Sequence, residues 1–187
     1  MKFEEGILRI ESVKDFSEVD STDKDEVTSV IVDKSVKTLK EWLFDGFENL
    51  EEVEIPEVKI IGKRVFNKCK KLKRVNMPKV DRIGEDSFSD CESLKKLDMP
   101  NLKSAGEGAF YNCKQLEVVR APKLERIDRD AFCECKHLWE AYMPILEEIG
   151  EGAFEGCENL RNLFIPKETY SEYEGEFEGT KVTGMSR

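Results

Sequence analysis

Apolar residues recur along the chain with a fixed period of 22 residues. Three columns of identical residues keep this period through six consecutive units: Leu50, Leu72, Leu94, Leu116, Leu138 and Leu160; Pro56, Pro78, Pro100, Pro122, Pro144 and Pro166; Phe44, Phe66, Phe88, Phe110, Phe132 and Phe154. A constant period in this range is typical of a solenoid, in which each unit forms one coil of the chain. The pattern therefore predicts stacked coils that share one apolar interior.

Within each unit, the spacing of apolar residues predicts one strand and one shorter strand. Leu94, Leu97 and Met99 are separated by polar residues in the way expected of a half-buried strand. Pro100 has no N–H to donate and marks the end of this strand. The next apolar pair, Leu102 and Ala105, is consistent with a second, very short strand. Strands one period apart must run parallel, because the same crossover follows each of them.

The remainder of each unit predicts a compact outer segment. The seven residues 107–113, EGAFYNC, are long enough for a single helical turn that buries Ala109, Phe110 and Cys113. A glycine column precedes this segment and predicts a turn with positive φ: Gly62, Gly84, Gly106 and Gly150. Asp128 interrupts the column, and aspartate tolerates the left-handed region better than most residues do.

The two ends of the chain depart from the repeat. Residues 1–26 include a short apolar strand at 6–10 and are expected to form an N-terminal cap over the open end of the stack. Residues 27–166 hold about six repeats, and residues 167–187 are expected to form a C-terminal cap and a frayed tail. In that last segment Tyr170, Tyr173 and Phe177 are suited to cover the final coil.

The cysteines follow the repeat and do not have the spacing of a disulfide framework. Five of the six occupy one column: Cys69, Cys91, Cys113, Cys135 and Cys157. An odd number of equivalent thiols cannot pair completely, so a buried packing ladder of free thiols is favoured. Cys133 lies outside the column and is expected to be the exposed, modifiable thiol. His137 is the only histidine, which excludes a multi-histidine metal site.

The units are similar to a known repeat class. They follow the pattern L-x-x-[VL]-x-[IM]-P-x-[VL]-x-x-I-G-x-x-[AS]-F-x-x-C, as in Ile149-Gly150, Ala153-Phe154 and Cys157. This pattern resembles the leucine-rich repeats of the BspA-like class over residues 27–166. The resemblance implies an α/β fold, a curved right-handed solenoid with a parallel β-sheet on its concave face. It also implies a role in adhesion or protein recognition, commonly at cell surfaces, and it supplies no catalytic residues.

Outward positions of the predicted strands offer a candidate binding surface. In the last units these positions carry aromatic and arginine side chains, which are the residue types of binding hot spots: Arg120, Trp139, Tyr142, Arg161 and Phe164. We expect them to form an aromatic patch that anchors a protein partner. The alternatives are that Trp139 folds over the core and that the C-terminal tail covers Phe164.

Charge is distributed unevenly along the chain. The formal net charge is −10, which argues against non-specific binding to nucleic acid or to anionic membrane. Residues 59–82 nevertheless contain ten Lys or Arg and one acid, Asp81. A possible anionic-partner patch within this basic band comprises Lys63, Arg64, Lys68, Lys70, Lys71, Lys73 and Arg74. The alternative is a solvated band that acidic residues one coil away neutralise.

These features favour a non-enzymatic scaffold for protein recognition, with an adhesive segment of a larger cell-surface protein as the alternative. An enzyme is disfavoured because no acid–base pair with supporting residues emerges. We expect no cofactor, no small-molecule substrate and no membrane span. The N-terminus does not resemble a signal peptide, so a cytoplasmic location is expected for the chain as given, and a cell-surface location if it is a fragment of a longer protein.

Overall fold

A computed structural model describes residues 1–182. The chain forms a solenoid of about seven turns, which confirms the predicted fold. Six turns carry a longer strand, then a two-residue strand and an outer segment, and the last longer strand is followed by the C-terminal helix. The longer strands are β3 Ser29–Val32, β5 Glu52–Glu54, β7 Arg74–Asn76, β9 Lys96–Asp98, β11 Val118–Arg120, β13 Glu140–Tyr142 and β15 Asn162–Phe164. The two-residue strands are β4 Thr38–Leu39, β6 Ile60–Ile61, β8 Arg82–Ile83, β10 Ser104–Ala105, β12 Arg126–Ile127 and β14 Glu148–Ile149.

The two-residue strands form one continuous parallel sheet in the order β14-β12-β10-β8-β6-β4. Each residue pairs with its equivalent in the next coil, so that Ala105 lies between Ile83 and Ile127. This second sheet confirms that the short apolar pair of each unit is a strand.

The longer strands form the first sheet, and we call its outward surface the first-sheet face. The hydrogen-bonded pairing of these strands is interrupted once. β3, β5 and β7 belong to a five-stranded sheet, whereas β9, β11, β13 and β15 form a separate four-stranded sheet. Parallel pairing therefore stops between β7 and β9, although the second sheet continues across the same two coils through β8 and β10. The repeat itself gives no sign of this interruption, because the unit keeps its 22-residue length here.

The interior consists of ladders of identical side chains. Six phenylalanines are fully buried, and neighbouring rings stack with centroids 5.0 to 5.7 Å apart. The column cysteines are buried and free, as predicted. Each thiol reaches the carbonyl of a phenylalanine 25 residues earlier; for example, Cys113 Sγ donates to Phe88 O at 3.2 Å. The thiol column is therefore part of the packing and supplies a weak donor to an interior carbonyl.

The outer segments form consecutive hydrogen-bonded turns rather than a regular helix. Tyr111 N donates to Gly108 O at 2.9 Å, while Phe110 N donates to Ala131 O of the next coil at 2.8 Å. A regular helix would use these N–H groups within the segment. Here the bonds between coils take some of them, which explains the difference from the predicted helical turn.

The glycine column has a different cause from the one predicted. None of its four glycines has a positive φ, and Asp128 has none either. A Cβ on Gly84 would lie 2.8 Å from the carbonyl carbon of Gly62. The column is therefore needed because successive backbones approach closely. The left-handed residues lie two positions later, as at Gly108, where φ is 57°.

The N-terminal segment continues the stack further than the sequence indicates. β2, Ile7–Ile10, pairs in parallel with β3, and Leu8 lies opposite Val30. β1, Lys2–Glu4, then adds an antiparallel edge. The connection to β3 contains two 3₁₀ turns, Val13–Asp15 and Lys24–Glu26, and the short helix α1, Phe16–Val19. Residues 1–26 thus contain one irregular coil, although their sequence does not follow the repeat.

The C-terminal end is covered by the helix α2, Lys167–Glu172, and a 3₁₀ helix, Glu174–Phe177. The ring of Phe177 lies 5.5 Å from that of Phe154 and 5.1 Å from that of Tyr170. These contacts extend the phenylalanine ladder by one ring and cover the last coil. The expected frayed tail falls partly on residues 183–187, outside the described residues.

Candidate functional site

The first-sheet face is the surface that the strands turn away from the interior. In each three-residue strand the middle residue points inward and its two neighbours point outward, as in β13, where Ala141 is buried between Glu140 and exposed Tyr142. Equivalent residues of successive coils therefore form columns across this face. A set of side chains 22 residues apart becomes one continuous surface on a rigid backbone.

The structure places three of the five predicted patch residues in one of these columns. Tyr142 is 40% exposed, and its ring lies 5.9 Å from that of Phe164 at an angle of 52°. Arg120 precedes them in the column, one coil away, and its guanidinium lies 3.4 Å from a carboxylate oxygen of Glu140. Phe164 is half-buried, so the C-terminal segment does not cover it completely.

The other two residues lie at the opposite ends of the same strands. Trp139 and Arg161 immediately precede β13 and β15, and Arg161 N donates to Trp139 O at 3.2 Å. The indole of Trp139 is 41% exposed and does not fold into the core. The predicted patch thus consists of two groups, with Glu140 and Asn162 between them. Its role in binding stays a prediction.

The seven residues of the predicted anionic-partner patch do not share one surface. Lys73 and Arg74 lie on the first-sheet face, whereas the other five belong to the outer turns. Most of their charges meet a carboxylate on a neighbouring coil. The pairs are Lys63–Glu85 at 2.5 Å, Arg64–Asp86 at 2.9 Å, Lys70–Glu48 at 2.8 Å, Lys73–Glu51 at 2.8 Å and Arg74–Glu52.

Carboxylates on neighbouring coils therefore neutralise most of the charge of this basic band. Lys71 donates to the side-chain oxygen of Asn49 at 2.8 Å, and Arg64 also lies 4.8 Å from the ring of Trp42. Exposed pairs of this kind add little stability individually. Binding of an anionic partner by the seven residues stays a prediction.

A depression of about 1100 Å³ marks the first-sheet face where its ladder is interrupted. β5, β7 and β9 line it, and Lys73, Arg74, Lys95 and Lys96 are among its residues. Like charges face each other here, because Lys73 and Arg74 occupy the same columns as Lys95 and Lys96 of the next coil. Like charges directly opposite one another destabilise strand pairing. Opposed like charges thus coincide with the interruption, and their positions can be identified in the sequence.

The sixth thiol is not exposed, contrary to the prediction for Cys133. This side chain is 7% exposed, and Asn67 and Ser89 at equivalent positions are 6% exposed each, whereas Tyr111 in the same column is 38% exposed. Burial, together with the carboxylates of Asp130 and Glu155, raises its pKa to about 11. One ligand atom from each of these three residues lies within 4.8 Å of the others. The raised pKa opposes the thiolate that metal binding requires.

His137 is an exposed turn residue, and its Nδ1 lies 2.7 Å from Lys114 O. Among residues 1–182, no helix has both the length and the apolar character needed to cross a membrane.

Comparison with known proteins identifies the repeat. The profile of the "BspA type Leucine rich repeat region" matches in six copies, over residues 22–139 and 125–186. A leucine-rich repeat protein from Bacteroides ovatus is similar, with 30% identity and a TM-score of 0.76 over 86% of this chain and 43% of that one. No curated protein matches.

Two further solved structures are similar to the chain. A leucine rich cell surface protein from Faecalibacterium prausnitzii has 26% identity and a TM-score of 0.68 over 74% of this chain and 39% of that one. The leucine-rich repeat protein of T. pallidum has 20% identity and a TM-score of 0.57 over 87% of this chain and 88% of that one, and it supports the fold alone. The chain spans less than half the length of the first two proteins.

Proposed function

The chain belongs to the family of proteins with a BspA-type leucine-rich repeat region, and we propose that it is a non-enzymatic scaffold that binds a protein partner through its first-sheet face. The repeat fold itself is compatible with an interaction scaffold, because a solenoid presents an extended and regular surface for contact. The resemblance to the BspA-like class implies that this face is the concave one.

The observation that carries this proposal is the ring pair of Tyr142 and Phe164. Two aromatic rings 5.9 Å apart stand on adjacent strands, and 40% of Tyr142 remains in contact with water. Rigid aromatic side chains lose little conformational entropy on binding and are frequent anchors of interfaces. Arg120, which is exposed in the same column, adds a planar donor for a carboxylate or a carbonyl of the partner.

The test compares two sets of alanine variants for their capture of a partner from a cell extract. The Tyr142→Ala/Phe164→Ala variant removes the ring pair, and Tyr111→Ala serves as the control because Tyr111 is 38% exposed on the outer turns. We expect the double variant to capture its partner at least about tenfold less than wild type, the loss typical of a hot-spot residue. The control should bind as wild type does, and circular dichroism should show both variants folded. Equal capture by the folded double variant would refute the proposal.

A second candidate function is adhesion as a segment of a longer cell-surface protein. The similar protein of F. prausnitzii is a leucine rich cell surface protein, and the chain spans 39% of it. Antibody labelling of intact cells tests this candidate. Labelling without permeabilisation would support the surface role, whereas a signal only after permeabilisation would support a scaffold inside the cell.

A further inference from the structure

The opening between β7 and β9 is confined to these two strands, which run parallel on either side of it. Most Cα–Cα distances between the two strands exceed 8 Å, whereas neighbouring strands of a sheet lie about 4.8 Å apart. The same two coils remain hydrogen-bonded just beyond the opening. Ser93 N donates to Lys70 O at 3.1 Å before the strands, and Asn101 Nδ2 donates to Pro78 O at 2.8 Å after them.

The edges of the opening retain unused backbone groups. At the four equivalent positions Ile55, Met99, Ala121 and Met143, the N–H donates to the next coil at 2.8 to 3.0 Å. The N–H of Met77 forms no such backbone bond within residues 1–182, and neither do those of Lys95 and Lys96. These groups face an opening wider than one strand spacing, so a further strand could use them as donors.

The interior is also incomplete at this point. Val75 is the inward residue of β7, and it is only half-buried, whereas Val53 and Leu97 at the equivalent positions are 1% and 2% exposed. An apolar side chain placed between Val75 and Leu97 would cover this exposed surface. Burial of apolar area is favourable, by about 25 cal/mol per Å².

The charges on the two sides of the opening are not equally compensated. Glu51 and Glu52 already pair with Lys73 and Arg74 from the closed side of β7. In contrast, Lys95 and Lys96 form no ion pair with any described residue. The opening therefore has a cationic end with two uncompensated lysines. At the other end of the opening, Asn76 is neutral and Asp98 is acidic.

We propose that the opening between β7 and β9 binds an extended acidic peptide segment, which fills the missing position of the ladder as an added strand. Two strand spacings, about 9.6 Å, are needed to accommodate such a segment. Its backbone carbonyls would accept hydrogen bonds from the N–H groups of Met77, Lys95 and Lys96, which is the mode known as β-augmentation. Two consecutive acidic residues of the peptide would face Lys95 and Lys96 on one side and Lys73 and Arg74 on the other. The next residue of the peptide would be apolar.

This site is separate from the ring pair of Tyr142 and Phe164 and does not rest on the proposed function. A neutral residue is expected beyond the apolar one, because Asp98 would repel a third acid. The required pattern is thus acid, acid, apolar and neutral polar. The chain's own segment 50–56, LEEVEIP, has this pattern except at Glu54.

The test uses a fluorescein-labelled peptide, LEEVQIP, and its matched lysine peptide, LKKVQIP. Fluorescence anisotropy at low salt measures binding of each peptide to the full chain. We expect saturable binding of the acidic peptide and at least about tenfold weaker binding of the lysine peptide, since only the acidic one offers charge-assisted contacts. Hydrogen exchange should show that the amides of Met77, Lys95 and Lys96 gain protection when the acidic peptide is added.

Charge-reversal variants locate the site. The Lys95→Glu/Lys96→Glu variant should weaken binding about tenfold or more, because its new carboxylates would pair with Lys73 and Arg74 and close the opening. The control, Lys34→Glu/Lys40→Glu, changes the net charge equally at two exposed residues far from the site and should bind normally. If the first variant does not fold, Lys95→Gln/Lys96→Gln replaces it, with a smaller expected loss.

Four outcomes would overturn the proposal. They are no binding of the acidic peptide, equal binding of both peptides, full binding by the folded charge-reversal variant, and binding without protection of the three amides. The last result would indicate that the lysines attract an anion to the surface without adding a strand.

Discussion

Two successive junctions between coils share the phenylalanine ladder but differ in the charges on the first-sheet face. Phe88 stacks on Phe66 at 5.1 Å in the first junction and on Phe110 at 5.5 Å in the second. At the first junction β5 pairs with β7, whereas at the second β7 and β9 remain apart. A continuous phenylalanine ladder is therefore not sufficient for a continuous first sheet.

The difference lies in the charges that face each other across each junction. In the closed junction Lys73 meets Glu51 at 2.8 Å, Arg74 meets Glu52, and Asn76 donates to Glu54 at 2.6 Å. In the open junction the partners of Lys73 and Arg74 would be Lys95 and Lys96. Each such contact is weak alone. Three-residue strands have few backbone bonds, so the sign of these contacts decides whether the strands pair.

The largest expected effect comes from removing the ring of Phe88, which contributes to both junctions. Phe88→Ala should destabilise the protein by about 4 kcal/mol, because a fully buried ring that contacts both neighbouring coils is lost. Chemical denaturation followed by circular dichroism measures the change. Phe88→Leu retains most of the volume and should cost distinctly less. A loss below about 1 kcal/mol for the alanine variant would show that the ladder does not hold the coils together.

A smaller effect is expected from a change that touches only the open junction. A Cβ on Gly106 would lie 2.9 Å from Glu85 N of the preceding coil, so Gly106→Ala should cost about 2 kcal/mol through overpacking. Gly175→Ala is the control, because no atom lies within 4 Å of its Cβ and its φ is not positive. Equal stability of the two variants in denaturation would contradict the close approach of the backbones.

Charge reversal should weaken strand pairing at the closed junction and strengthen it at the open junction. Glu51→Lys/Glu52→Lys places like charges across the closed junction, and the amide of Ile55, which donates to Asn76 O at 3.0 Å, should exchange about tenfold faster. Lys95→Glu/Lys96→Glu should slow exchange of the Met77 amide in the absence of peptide. Hydrogen exchange measures both amides in each variant. Unchanged rates in both variants would remove charge as the cause of the interruption.

The smallest effect concerns a single carboxyl of the closed junction. The hydrogen bond from Lys73 lowers the pKa of Glu51, so the stabilisation from this pair is present above the ordinary glutamate pKa and is lost as the pH falls through the lowered value. Lys73→Ala should raise the pKa of Glu51 towards its ordinary value, and Lys40→Ala should not change it. An NMR titration of the carboxyl carbon measures the shift. A Glu51 pKa that is the same in both variants would show that Lys73 does not interact with it in solution.

Periodicity was sufficient to predict the stack and the order of its strands. Positions such as Leu97 and Ala105 repeat six times, so one interpretation had to suit all of them. The glycine column was interpreted wrongly, because sequence alone does not distinguish a glycine needed for positive φ from one needed for close approach, as at Gly84. The coil of β2 was missed because only Leu8 and Ile10 align with inward residues of β3, and the residues that follow β2 do not obey the repeat.

For the candidate sites, the position of a residue in the repeat was a better predictor than its residue type. The outward location of Tyr142 and Phe164 followed from alternation, but the sequence could not show that their rings meet. The interruption at β7 could have been found by comparing each outward residue with the one 22 positions later. Lys73 with Lys95 and Arg74 with Lys96 form the one place where two neighbouring columns both bring cations together. The burial of Cys133 could not be found in this way, because it depends on how the outer turns stack.

The thiol ladder limits how a chain of this kind can change its specificity. Each Sγ reaches a carbonyl 25 residues earlier, so these contacts overlap along the chain from Phe44 to Cys157. The one longer unit places its extra residue between Val32 and Val36, which precedes the first of these contacts. A residue inserted after Phe44 must therefore loop out of the coil if the contact that spans it is to persist. New specificity would arise by substitution of outward side chains or by duplication of whole coils.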